Sequence, residues 1–205
     1  MSSLARLKPI LNFNSSFWLF LSLLLCALLL PFMAGFYPIV RFPEEQIDIE
    51  VYPDYVWVKG IYVYKNPFPF PVVQGFSIPF PVDSDHPVPV LVSAQQLHPE
   101  KRPIPLRYIF GMHRFDLTFK AKEKIRVLVT YRQQTPKKNA RYILITTKPW
   151  KRPLKQGLYR LFPKGVRITS SNYMLMPDKT KTFCFEKENF MPEYDWEFSW
   201  ETLKS

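Results

Sequence analysis

The longest apolar run in the chain, Phe17 to Phe36, reads FWLFLSLLLCALLLPFMAGF and is uncharged; no Asp, Glu, Lys, Arg or His lies between Lys8 and Arg41. A bilayer core about 30 Å thick takes roughly 20 apolar residues of helix. The run therefore predicts a transmembrane anchor over 17–40, built on Phe17, Trp18, Leu19, Phe20, Leu24, Leu28, Phe32 and Phe36. Past residue 40 the period drops to two. Ile47, Ile49 and Val51 alternate with Asp48, Glu50 and Tyr52, and Tyr55 to Tyr64 follows as a second strand, with a bulge expected at Lys59-Gly60. Phe115, Leu117 and Phe119, a turn over Ala121 to Lys124, then Ile125, Val127, Val129 and Tyr131 read as an antiparallel hairpin. Further strands are expected at 140–147, 158–162, 166–170 and 182–186. A closing strand carries Tyr194, Trp196, Phe198 and Trp200 on its core face.

About ten short strands and no helix beyond the anchor predict a mainly β chain: one transmembrane helix, then an immunoglobulin-like antiparallel β-sandwich. The expected divisions are a cytoplasmic tail (1–16), the anchor (17–40) and an extracytoplasmic domain (41–205). Arg6 and Lys8 precede the run, and Glu44, Glu45, Asp48 and Glu50 follow it, so the positive-inside rule puts the domain across the membrane, in the periplasm or its equivalent. The run is too long for a signal h-region, and Phe32-Met33-Ala34 lacks a small residue at its outer position, which favours a retained signal anchor over a cleaved one.

Of the chain's twenty-one prolines, ten fall in Pro67 to Pro105. Proline cannot donate to a central ladder, so these pieces read as edge strands and stiff connections, or as a polyproline-like ligand for a partner's groove. With one cysteine in the anchor and one, Cys184, in the domain, a disulfide framework is excluded. Cys184 reads as a buried core thiol.

Charge changes the picture most. The net charge is +11, and thirteen basic residues from Lys124 to Arg167 face no Asp or Glu before Asp178. Lys137, Lys138, Arg141, Lys148, Lys151, Arg152 and Lys155 cluster around two loops with Trp150 among them. They are the candidate surface for an anion or partner: anionic lipid, an acidic subunit of a membrane complex, or an envelope polyanion. Nucleic acid fits the charge but not the far side of a membrane.

Catalytic chemistry has little to stand on. Gly-x-Ser-x-Gly and phosphate-cradling loops are absent, and the pairs Glu44-Glu45 and Glu186-Glu188 read as solvated carboxylates. His86, beside Asp83 and Asp85, reads as a turn more than a metal site. Cys184, Met174 and Met176 offer soft ligands suited to Cu(I). Phe183-Cys184-Phe185-Glu186 resembles part of the paired-cysteine motif of copper-delivering assembly factors for haem-copper oxidases, which would imply a copper-handling chaperone. Thr182 stands where that family has its other cysteine. FDLTF, VLVTY and YILITT also resemble strands of uncharacterised bacterial envelope β domains, which implies the sandwich alone. The sequence thus predicts no enzyme and no cofactor, but an accessory or assembly subunit docked on an integral membrane complex.

Overall fold

The computed structural model describes residues 15–34, 38–177 and 182–203, without the side chains of Ser15 and 26–34. Most of the expected cytoplasmic tail and the anchor residues Leu28, Phe32 and Phe36 lie outside the described side chains. The chain divides into two compact units, Met1–Phe36 and Tyr37–Ser205. The first holds α1 (Ser15–Ala34), a 20-residue helix without a charge, on which Phe17, Trp18, Leu19, Phe20 and Leu24 are exposed. Among the described residues, where α1 contributes side chains only over 16–25, no helix is long and apolar enough to cross a membrane.

The second unit is mainly β. Its strands are β1 (Arg41–Val51), β2 (Tyr55–Lys65), β3 (Val72–Ile78), β4 (Val90–His98), β5 (Arg102–Ile104), β6 (Arg107–Ile109) and β7 (Met112–Phe119). They continue as β8 (Lys124–Gln134), β9 (Asn139–Tyr142), β10 (Leu154–Pro163), β11 (Val166–Ser171), β12 (Met176–Pro177), β13 (Phe183–Phe190) and β14 (Trp196–Thr202). One eight-stranded sheet runs β12-β13-β10-β1-β2-β8-β4-β5, and two three-stranded sheets, β11-β14-β9 and β3-β7-β6, cover it. Alternate residues of β8 show how one face serves both covers. Ile125, Val127 and Val129 pack with Phe76, Phe115 and Phe119 of the β3-β7-β6 sheet, while Tyr131 packs with Trp196, Phe198 and Trp200 of the other. Tyr62 touches both clusters and lies at their seam.

Several expectations are corrected. β1 and β10 run parallel, so the large sheet is mixed rather than antiparallel. β7 and β8 do not pair as a hairpin; β7 joins β3, and β8 joins β2 and β4. Buried Asn66 accompanies the switch: its amide donates to Phe70 O and Lys120 O, both at 2.8 Å, and its N–H to Glu123 O, pinning the 66–70 loop to the turn between these strands. The bulge expected at Lys59-Gly60 is absent, because β1 and β2 keep register through it; the shift lies between Arg41 and Glu44. The strand expected over 140–147 stops at Tyr142. Asp195 Oδ1 accepts the Leu144 and Ile145 N–H groups at 3.0 and 3.2 Å, and a 3-10 helix, Ile145–Trp150, follows. Tyr194 precedes the closing strand and is exposed, and Cys184 is half-buried rather than in the core.

Glu44-Glu45 is not a solvated pair. Glu44 meets Lys124 at 2.9 Å, but Glu45 is 6% exposed. Its Oε1 accepts from Tyr142 and its Oε2 from Tyr159, each at 2.9 Å, and Tyr142 shares a 2.8 Å hydrogen bond with Tyr62. Two glycines make room for these rings. Gly60 and Gly157 flank β1 on either side, and a Cβ on either would fall 2.4 Å or 2.7 Å from the hydroxyl of the tyrosine two residues on. Burial pushes the Glu45 carboxyl up to about 7 against the pull of both tyrosines.

A carboxyl raised in the folded state favours folding in its protonated form. The linked stability is complete below pH 4.5 and is lost as pH rises to about 7, a change of roughly 3 kcal/mol. Glu45→Gln is therefore expected to flatten urea-unfolding stability between pH 5 and pH 7.5 and to leave the variant more stable than wild type at the upper end. An unchanged slope would show that Glu45 is not the titrating group.

Candidate functional site

Lys148-Pro149-Trp150-Lys151-Arg152-Pro153 is a sequence that cannot stay in a ladder. Pro149 and Pro153 lack donors. The 3-10 helix closes on Lys151 at φ 51°, whose N–H donates to Lys148 O at 3.0 Å. This turn carries Trp150 inward. Its ring lies 5.6 Å from Phe42, 5.8 Å from Tyr64 and 6.2 Å from Phe76, an aromatic stack at the end of the domain where the chain enters. We call this the proximal end: β1 and β10 start here, and β2 ends here beside the start of β8.

Against the stack lies a groove of about 770 Å³. Ile39, Val40, Phe42, Phe68 and Trp150 supply an apolar wall, and Arg41, Lys151, Arg152 and Lys155 supply four cations; no Asp or Glu lines it. Arg41, Arg152 and Lys155 are exposed, and none of the described ion pairs engages them. Like charges gathered beside a low-dielectric wall focus a positive potential into the groove. The arrangement can hold a group that is apolar at one end and anionic at the other.

The structure divides the basic cluster expected from sequence. Trp150, Lys151, Arg152 and Lys155 line the groove; Lys148 points its Nζ to Glu193 O at 3.2 Å. Lys138 binds Pro53 O and Asp54 at the opposite end, Arg141 meets Asp83 at 2.8 Å, and Lys137 is exposed beside Lys138. Sequence reasoning missed Arg41 and Phe42. The signal was present: a lone arginine and an aromatic directly after the apolar run. Of the soft-ligand set, Cys184 donates to Met176 O at 3.6 Å across β12–β13, and Met174 and Met176 are exposed. Among the described residues no group of three or more His, Cys, Asp or Glu could hold a metal ion.

No protein-family model matches the chain, and no curated protein matches it. Solved structures do. A Legionella pneumophila protein described as a "putative nutrient binding protein" superposes with TM-score 0.61 at 14% identity, over 80% of this chain and 68% of that one. An M1 zinc metallopeptidase from Deinococcus radiodurans gives TM-score 0.46 at 7% identity, over 79% of this chain and 42% of that one. Yeast LTA4 hydrolase gives 0.48 at 9%, over 80% and 29%. The chain spans less than half of either enzyme. The first likeness shows a shared fold.

Proposed function

We propose that this is a non-catalytic envelope domain, anchored through α1, whose proximal groove holds an anionic amphiphile, the headgroup and chain of an anionic lipid. One observation carries this reading: four cations and no carboxylate ring an aromatic and aliphatic wall at the end where the chain enters the domain. Twenty uncharged helical residues, about 30 Å at 1.5 Å each, support the anchor. Basic charge before the run and acidic charge after it support the extracytoplasmic placement. Each cation near an anionic surface contributes about 1 kcal/mol.

The test uses full-length protein in a nonionic detergent, with tryptophan quenching by brominated phosphatidylglycerol or phosphatidylcholine as the readout. The anionic lipid is expected to quench at lower mole fraction. Arg152→Glu with Lys155→Glu should weaken it at least about tenfold, while Lys138→Glu should not. Equal quenching by both lipids would remove the groove's charge from the account.

A second reading, docking on a membrane complex, is favoured by the β6–β7 hairpin. Phe110 at its tip is 91% exposed and held at φ 51°, beside Gly111 at φ 76° and exposed Tyr108 and Met112. A bulky residue in the left-handed region costs about 1 kcal/mol, and this one buries no surface in return. Asparagine tolerates that conformation. Phe110→Asn is expected to keep or raise the unfolding midpoint while abolishing comigration with a larger complex on native gels of gently extracted membranes. Comigration that survives the substitution would remove the hairpin as a docking element.

A further inference from the structure

Away from the groove, a second cavity of about 400 Å³ lies over β9, β11 and β14, on the side of the small sheet away from the core. Its cover is the turn at 83–86. Asp83 Oδ1 accepts from the Asp85 and His86 N–H groups at 2.9 Å and from His86 Nδ1 at 2.8 Å, and Oδ2 accepts from Arg141 at 2.8 Å. The His86 hydrogen bond leads the contacts that hold the Asp83 carboxyl down at about 2. Buried Gln133 fixes the flanks, donating to Pro81 O and Pro87 O, both at 2.8 Å. The Pro-rich stretch thereby places His86 in the lining of the cavity.

Three buried polar atoms of the lining residues have no hydrogen-bond partner: His86 Nε2, Asn139 Oδ1 and Arg141 Nε. His86 itself is 7% exposed. With Nδ1 engaged by Asp83, His86 has Nε2 left for a ligand hydroxyl. Asn139 offers an acceptor and Arg141 a donor. Buried polar atoms cost free energy until they are paired, so these atoms call for a ligand that both donates and accepts within a small volume.

Charge narrows the class. The Arg141 guanidinium is already neutralised by Asp83, and Glu197 also lines the cavity, so a free anion meets a carboxylate and a half-spent cation. A cation meets Arg141, and a metal ion finds too few ligands. The Ser170 and Ser199 hydroxyls, 3.0 Å apart, add groups that both donate and accept. Neighbouring hydroxyls on a ligand satisfy this whole set without bringing charge. We infer that the cavity beneath the Asp83–His86 turn binds a neutral polyhydroxylated ligand, one pyranose unit of a sugar.

Saturation-transfer NMR on the full-length protein, in a polyoxyethylene detergent that carries no sugar headgroup, tests this with D-glucose, D-galactose and N-acetyl-D-glucosamine. Calorimetry with inorganic phosphate and glycine supplies the charged comparison. At least one sugar is expected to bind more tightly than either charged probe. Asn139→Ala should weaken that sugar by about fivefold, the share of one hydrogen bond, with an unchanged unfolding midpoint, and Lys155→Glu in the groove should leave it intact. No sugar bound at tens of millimolar, tighter binding of phosphate or glycine, or sugar binding indifferent to Asn139→Ala would each overturn the assignment.

Discussion

One buried carboxyl holds the domain to a single arrangement. An eight-stranded sheet cannot be covered by either three-stranded sheet alone, so two half-cores meet along a line, and apolar packing along such a line is non-directional. Glu45 supplies direction. Through Tyr159 it ties β1 to its parallel neighbour β10, and through Tyr142 it ties the large sheet to the small one above it. Tyr62 extends the chain of hydroxyls to β2 and sits where both half-cores touch. Burying the carboxyl is unfavourable in itself, and two tyrosine donors only partly offset that. What the group adds is direction: its two hydrogen bonds fix which rings and strands meet at the seam. Gly60 and Gly157 belong to the same device, since any side chain there would meet the rings that reach Glu45.

With the middle fixed, the ends are free to diverge. Along the strands the carboxylates are spent in pairs: Asp48 with Arg160, Glu50 with Lys59, Glu44 with Lys124. Arg41, Arg152 and Lys155 stand at the proximal end, lining a groove to which no Asp or Glu contributes. Their mutual repulsion is tolerable because they are exposed and screened by salt. An anion bound there, as proposed, would weaken it further, and the aromatic wall around Trp150 would favour an apolar group behind that anion. The positive field of the groove thus follows from how the rest of the fold uses its carboxylates.

Much of this was legible in the chain. Alternation over 47–51, 115–119, 125–131 and 196–200 marked the core strands, because a face that packs must repeat every second residue. What alternation cannot carry is which strand pairs with which. The β7–β8 turn looked like a hairpin since both flanks alternate, but the turn is bound by the 66–70 loop, about 55 residues upstream, and the two strands lie in different sheets. Glu45 was hidden for a similar reason: beside Glu44 it reads as surface, and its partners Tyr142 and Tyr159 are far along the chain. The basic residues were visible as a run. Their division between the groove, the Asp54 end and the Asp83 turn depends on the path of the chain, which composition does not encode.

β9 shows why seam and cavity belong to one design. Its four residues alternate: Ala140 and Tyr142 are buried in the core, while Asn139 and Arg141 lie only partly buried on the cavity side. A slip of one residue would exchange these faces. Arg141 would then approach Glu45, an attractive pairing by charge alone. The exchange would bury a guanidinium, take Arg141 from Asp83 and turn the Tyr142 ring out to solvent. Desolvation of one charge and loss of one ring outweigh a single ion pair in the interior. The register that satisfies Glu45 is therefore also the register that aims Asn139 and Arg141 at the cavity.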